Sequence, residues 1–198
     1  GITNLEDAEA AVAYGADAVG FVFAQESPRF VPPQTVGKIV SALPPFVTTV
    51  GVFTVGEEKD FRKAIEECGI DLLQFHRAVS PAVMERYAHR AIKVVRVRDK
   101  ETFEEVVWSP ARAYLFDSFN GQVEGGSGVP FNWEIALQTK RVGKVILAGG
   151  LTPENVQKAI KIVSPYGVDV SSGVEITLGK KDHDKVAKFI KNAGKSLR

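Results

Sequence analysis

The strongest constraint on the fold is a regular alternation of short apolar runs with amphipathic segments along nearly the whole chain of 198 residues. The apolar runs are typical of strands buried on both faces, and the segments between them have the spacing of amphipathic helices. Strands and helices in strict alternation predict a parallel sheet covered by helices. The predicted strands are residues 16–23, 46–53, 70–76, 91–97, 113–117, 144–147 and 167–170.

Helix signals separate these strands. Thr3 and Glu6 have the spacing of a capping box, and Ser80-Pro81 places a cap before a proline in the first helical turn. The last helix is predicted over residues 181–192. The pattern gives eight helices but seven strands, because the chain opens on a helix with no strand before it. We therefore expect one domain over residues 1–198, a (β/α)8 TIM barrel whose first strand is absent from the chain as written.

An open, doubly wound sheet is the rival fold for this alternation. It is disfavoured because no Gly-x-Gly-x-x-Gly follows the first predicted strand. The chain is nevertheless shorter than a typical barrel of about 250 residues.

Two predicted strands near the C-terminus run directly into loops that contain glycine. Val145-Ile-Leu-Ala is followed by Gly149-Gly150 and then by the helix start Thr152-Pro-Glu-Asn. Gly167-Val-Asp-Val is followed by Ser171, Ser172 and Gly173. Glycine and small hydroxyl residues let backbone N–H groups approach an anion closely. Neighbouring loops at one end of a parallel barrel are therefore expected to share one phosphate.

Composition excludes several classes of partner. Lys plus Arg total 25 against 24 Asp plus Glu, a net charge of +1, and no basic cluster combines with aromatic residues, so no nucleic acid is expected. The single Cys68 excludes an internal disulfide and is interpreted as a packed small hydrophobe. Without a signal peptide or an apolar run of about 18 residues, we expect a cytoplasmic protein with no membrane partner. His89 and His183 are expected on exposed helix faces, and no histidine pair with carboxylates has metal-ligand spacing, so no metal is expected.

An ordered series of motifs covers nearly the whole chain. It consists of Gly1-Ile-Thr-Asn-Leu-Glu-Asp-Ala, Gly15-Ala-Asp-Ala-Val-Gly-Phe-Val-Phe, Ser27-Pro-Arg-Phe-Val, Val50-Gly-Val-Phe, Gln74-Phe-His, Leu115-Phe-Asp, Gly125-Gly-Ser-Gly, Leu147-Ala-Gly-Gly-Leu-Thr-Pro-Glu-Asn-Val, Gly167-Val-Asp-Val-Ser-Ser-Gly-Val-Glu and Gly179-Lys-Lys-Asp. This series resembles the phosphoribosylanthranilate isomerase family of tryptophan biosynthesis, whose fold is a (β/α)8 barrel. The resemblance implies a cofactor-free Amadori rearrangement of an aminoaldose phosphate to an aminoketose phosphate. The substrate that the resemblance implies is a small phosphorylated sugar–anthranilate.

The resemblance also implies roles for individual residues. It assigns the general acid to Asp117, at the end of an apolar strand, and the anthranilate carboxylate to Arg29. Asp169 and Ser171 alternate with valines, so they are expected to point into the barrel towards the substrate. Asp169 either binds the substrate or stabilises the barrel interior. The phosphate is expected on backbone N–H groups of Gly128, Gly149, Gly150, Ser172 and Gly173.

The chain departs from the family pattern at four places. The family begins Lys-Ile-Cys-Gly-Ile-Thr, with the cysteine as general base, whereas the chain as written starts at the glycine of that motif, Gly1. Arg77, Ala78 and Val79 follow His76 where the family usually has Gly and acids. The other departures are Thr54-Val55-Gly56, where a polar Asn or Asp is common, and Val95-Arg96-Val97-Arg98, where Lys-Ala is usual.

These departures leave two functions open. In the first, the chain is an isomerase with Asp117 as acid and a base supplied by residues preceding Gly1. In the second, it is a catalytically silent, truncated or redesigned barrel that keeps the phosphate pocket. His76 is a candidate for substrate binding and, with an unperturbed pKa of about 6.5, for the base. The alternative for His76 is a histidine hydrogen-bonded at the barrel mouth. Either form is expected to be a monomer or a homodimer.

Overall fold

A computed structural model describes residues 1–54, 56–96, 110–117 and 143–197, the last range without the side chains of 195–197. Its main sheet has seven parallel strands, each paired with the next along the chain. These strands are β1 (Ala18–Val22), β2 (Thr48–Phe53), β3 (Leu72–Phe75), β4 (Ala91–Arg96), β5 (Ala113–Asp117), β6 (Val145–Ala148) and β7 (Gly167–Val168). All seven predicted strands are confirmed, and their sequential order is that of a curled TIM-barrel sheet.

Helices follow the strands in the predicted order. Those in the described ranges are α1 (Leu5–Ala13), α2 (Pro33–Ala42), α3 (Glu58–Cys68), α4 (Pro81–Tyr87), α5 (Val156–Val163) and α6 (His183–Leu197). Ser80 caps α4 as predicted, because its hydroxyl accepts from Val83 N at 3.3 Å. The sequence pattern also predicts helices at 100–107 and 132–138 and a glycine-rich loop at 119–129, and all three lie outside the described residues. None of the helices described is long and apolar enough to cross a membrane.

Both faces of the sheet are buried, as a parallel barrel requires. Leu147 packs in the large core shared by the sheet and the helices. Its neighbours Ile146 and Ala148 belong to a second cluster on the opposite face of the sheet, with Val50, Ile92, Val94, Ala113 and Leu115. Successive residues of β6 therefore alternate between the helix layer and the interior of the curled sheet.

The start of α1 differs from the sequence prediction. Asn4 is the N-cap, and its Oδ1 accepts from Asp7 N at 2.8 Å. The Thr3 hydroxyl instead donates to Gly179 O at 2.6 Å, which ties the start of the chain to a C-terminal hairpin. The capping box predicted at Thr3 and Glu6 was wrong because the threonine has a partner 176 residues away, which local sequence does not reveal.

Candidate active site

Asp117 lies at the carboxyl edge of the sheet, where all parallel strands end. As the last residue of β5 it pairs with the last residues of both neighbouring strands, Arg96 and Ala148. Ala148 directly precedes Gly149-Gly150, so the predicted acid and the predicted phosphate loop share one edge. Asp117 is half-buried. The position expected for this carboxyl group is confirmed, and its catalytic role stays a prediction.

His76 directly follows β3, and its backbone N donates to Phe53 O at 2.9 Å. Its Nε2 lies 3.0 Å from Gln74 Nε2, an amide nitrogen that can only donate, so the ring accepts there and carries its proton on Nδ1. Burial lowers the pKa of His76 below its ordinary value. The charges of Asp117 and Asp169 oppose this shift, and the charge of Arg96 adds to it. The charges of two predicted site residues, Asp117 and Asp169, therefore reach the imidazole of His76.

The loop after β6 depends on its two glycines. Gly149 and Gly150 have φ angles of 81° and 63°, in the left-handed region that other residues rarely adopt. Asn155 pins the loop from both sides, since its Nδ2 donates to Gly150 O at 2.9 Å and its Oδ1 accepts from Thr152 N at 2.8 Å. These two hydrogen bonds hold the shape of the loop.

The loop after β7 lies directly against the loop after β6. Gly173, in a short 3₁₀ helix (Ser172–Val174), is so close that a β-carbon there would lie 1.9 Å from Leu151 O. The strand itself ends at Val168, two residues earlier than predicted, because the chain turns into this 3₁₀ helix. The two loops are confirmed as neighbours. Phosphate binding at Gly149, Gly150, Ser172 and Gly173 stays a prediction, and Gly128 lies outside the described residues.

Asp169 and Ser171 follow β7 on its interior side. Asp169 N donates to Leu147 O at 2.8 Å, and its exposed side chain alternates with Val168 and Val170, which pack against the helix-side core. The backbone of Ile2 donates to Gly20 O of β1 at 2.8 Å. At the preceding residue, Gly1, a β-carbon would lie 2.6 Å from Ser171 Oγ and 2.8 Å from Arg29 Cδ. Ser171 and Arg29 are therefore neighbours across Gly1.

Arg29 forms a bidentate ion pair with Glu175. Its Nε and Nη2 donate to Glu175 Oε1 and Oε2, both at 2.7 Å. Lys181 Nζ donates to the same Glu175 Oε1 at 2.9 Å. Burial alone would raise the pKa of Glu175, but the hydrogen bonds from Arg29 and Lys181 outweigh it and hold that pKa below its usual range. The same pair raises the pKa of Arg29.

Sequence reasoning did not assign Glu175 or Lys181 to the site. Both belong to the C-terminal motifs of the series, Glu175 as the acid after Gly173-Val174 and Lys181 within Gly179-Lys-Lys-Asp. They face each other across a short antiparallel hairpin of Glu175–Thr177 and Lys180–Lys181. The sequence signal that could have identified this pair is an acid before, and a lysine after, a turn at Leu178-Gly179.

Asp7 anchors this hairpin from α1. It is 1% exposed and accepts from Lys181 N at 3.0 Å, His183 Nε2 at 2.9 Å and Asn4 Nδ2 at 2.9 Å. Burial opposes ionisation of Asp7, but these hydrogen bonds outweigh it and lower its pKa. The expectation that His183 is solvated was wrong, because its ring reaches a carboxylate that is distant in sequence.

Other candidate groups contribute little to a site. Cys68 is 2% exposed, and burial raises the pKa of its thiol, in agreement with its prediction as a packed small hydrophobe. Within the described ranges, no group of three or more His, Cys, Asp or Glu residues could hold a metal ion. The candidate site is therefore the carboxyl edge of the sheet, with its acids, its half-buried histidine and its two touching glycine loops.

Comparison with known proteins shows the family of the chain. The family model for N-(5'phosphoribosyl)anthranilate (PRA) isomerase matches residues 1–192. An N-(5'-phosphoribosyl)anthranilate isomerase from Geobacter sp. (strain M21) is 45% identical over 195 residues, which cover 98% of this chain and 96% of the relative. The crystal structure of phosphoribosyl anthranilate isomerase from Thermotoga maritima matches with a TM-score of 0.88 at 40% identity, covering 98% of this chain and 96% of that one. A phosphoribosyl anthranilate isomerase in complex with reduced 1-(o-carboxyphenylamino)-1-deoxyribulose 5-phosphate gives 0.85 at 38% identity, covering 98% and 95%. The chain therefore belongs to the N-(5'-phosphoribosyl)anthranilate isomerase family.

Proposed function

We propose that this chain is an N-(5'-phosphoribosyl)anthranilate isomerase of tryptophan biosynthesis. It rearranges an aminoaldose phosphate into an aminoketose phosphate. Family membership supports this proposal, and one observation of the site carries it. Asp117 ends β5 beside Ala148, which leads straight into the Gly149-Gly150 loop, and that loop touches the Gly173 loop. An acid thus stands next to an edge suited to a phosphate.

The reaction needs an acid that protonates the ring oxygen of the sugar and a base that takes a proton from the adjacent carbon. We assign the acid to Asp117. A phosphate held on the backbone N–H groups of the two glycine loops places the sugar above this carboxyl group. Arg29 then faces the anthranilate carboxylate, for which a planar guanidinium is suited.

The family's base is a cysteine directly before the Gly-Ile-Thr motif. Gly1 lies between β1 and the end of β7, since Ile2 bonds to Gly20 and Ser171 lies against Gly1. Asp117 lies on β5, two strands beyond β7 in the order of the sheet. A side chain directly before Gly1 would therefore face the sugar from the side opposite to Asp117, as the reaction requires.

Turnover of phosphoribosylanthranilate tests this assignment. The assay uses the chain preceded by the family's Lys-Ile-Cys segment, so that acid and base are both present. Asp117→Asn is expected to lower kcat by about 10²–10⁴-fold, the usual contribution of general acid catalysis, with little change in KM. Glu67→Gln, which removes an exposed partner of Lys63 on α3, is the matched control and should leave the rate unchanged. No turnover by the extended chain would exclude the isomerase.

A second candidate is a catalytically silent barrel that keeps a phosphate pocket. The departure at Arg96 favours it, because this cation acts on His76 beside the predicted acid. This candidate predicts binding of inorganic phosphate and of the product analogue without turnover. Both candidates are proposed to work in the cytosol, on a small phosphorylated ligand and without a cofactor.

A further inference from the structure

We propose that Glu175 and Lys181 are positioning residues, with Glu175 orienting the Arg29 guanidinium towards the carboxylate of the substrate and Lys181 holding Glu175 in place. The inference rests on the proposed function, because it takes Arg29 as the group that binds the anthranilate carboxylate. Neither residue needs to touch the substrate.

Among the described residues, the ion pair with Glu175 occupies one edge of the Arg29 guanidinium and leaves the other edge available. A guanidinium has five N–H donors in a rigid plane. Glu175 occupies one on Nε and one on Nη2, at 2.7 Å each. The remaining donors, on Nη1 and Nη2, form a second fork that matches a second carboxylate. A side-on partner on the first edge fixes the direction in which this second fork points.

Burial makes the arrangement rigid. The side chains of Arg29, Glu175 and Lys181 are 19%, 6% and 4% exposed, so water competes weakly for their hydrogen bonds. Two cations share one carboxylate, and the three groups together carry a net charge of +1. Because charges are poorly screened in a buried site, a further anion is favoured next to them. A ligand carboxylate on the open edge of Arg29 would neutralise the set.

Lys181 also connects this set to the phosphate loop. Its Nζ donates to Ser171 O at 3.2 Å, one residue before the Ser172-Gly173 turn. Its backbone N is held by buried Asp7 at 3.0 Å. The distance between the carboxylate end and the phosphate end of the site is therefore set by one network. A substrate that carries both anions is recognised by this spacing.

Isothermal titration with two probes tests the proposal without requiring turnover. The probes are reduced 1-(o-carboxyphenylamino)-1-deoxyribulose 5-phosphate and the same compound without the ring carboxylate. We expect the unmodified chain to prefer the carboxylate-bearing probe, and Glu175→Gln to reduce this preference about tenfold or more, the scale of one charge-assisted hydrogen bond. Glu67→Gln is the control and should keep the full preference. The preference is the ratio of the two probe affinities measured on one variant. A smaller folded fraction lowers both affinities equally, so it does not change this ratio.

The outcomes separate this inference from the proposed function. An unmodified chain that binds neither probe overturns the proposed function, and the inference with it. If the unmodified chain shows the preference, an equal or greater preference in Glu175→Gln overturns the inference alone, because Glu175 would then only balance charge. If Glu175→Gln does not fold, Glu175→Asp keeps the charge but retracts the carboxylate. A full preference in Glu175→Asp would also overturn the inference.

Discussion

The contact between the two glycine loops gives the most direct prediction, for the substitution Gly173→Ala. The β-carbon would lie 1.9 Å from Leu151 O, 3.0 Å from Leu151 C and 3.4 Å from Thr152 Cα. Carbon and oxygen atoms approach to about 3.3 Å at closest, so the loops would have to separate by about 1.4 Å. The obstacle is backbone and has no rotamer that relieves the clash.

The expected cost follows from this separation. Overpacking of a close contact costs about 1–3 kcal/mol in the free energy of unfolding, which lowers Tm by about 2–12 °C for a chain of this size. A displacement of about 1 Å in a binding site can cost about 10²-fold in function. We therefore expect the affinity for the reduced product analogue to fall between about tenfold and a hundredfold.

Thermal unfolding and titration calorimetry measure the two effects. Gly194→Ala, in α6, is the matched control because a β-carbon there meets nothing within 4 Å. Both variants replace glycine by alanine, so both reduce the conformational freedom of the unfolded chain by the same amount. Because Gly194→Ala adds no clash, it should stabilise the protein by about 0.5–1 kcal/mol. Unchanged Tm and unchanged affinity in Gly173→Ala would refute the contact between the loops and the phosphate site built on it.

Three further predictions concern titratable groups. Arg96→Ala should raise the pKa of His76, because the charge of Arg96 lowers it. An NMR titration of His76 measures this pKa, and a lower pKa in the variant would contradict the placement of Arg96. Asp7→Asn should lower the free energy of unfolding at pH 7 by about 2–3 kcal/mol, because hydrogen bonds to a buried carboxylate are lost. Folding lowers the pKa of Asp7, so the ionised carboxylate stabilises the fold above its unfolded pKa of about 3.9, and this stabilisation is lost as pH falls through the folded pKa. Urea unfolding of the unmodified chain and of Asp7→Asn should therefore show a smaller difference in free energy of unfolding at pH 3 than at pH 7. The Cys68 thiol should react with a disulfide reagent only after unfolding, because it is buried with a raised pKa, and rapid reaction in the native protein would contradict that environment.

Local sequence determined the order of the strands in the sheet and, except at β7, the carboxyl end of each strand to within one residue. Near-continuous apolar runs specify which segments are strands, and the alternation with helices makes neighbouring strands parallel. A residue that ends such a strand, like Asp117, must lie at the carboxyl edge. Gly149-Gly150 after β6 and Ser172-Gly173 after β7 must lie at that edge too. These predictions needed no knowledge of distant contacts.

Sequence periodicity could not show which side chains meet across the barrel. Arg29 and Glu175 are 146 residues apart, and Asp7 and Lys181 are 174 apart. The same limitation explains why the predicted cap at Thr3 and the predicted solvent exposure of His183 were wrong. Periodicity assigns a residue to a face, whereas an ion pair depends on how the first helix and the last hairpin come together in space. The order of the elements was thus set by sequence, and the buried network around Arg29 was decided only by tertiary structure, because curling the sheet brings the two ends of the chain into contact.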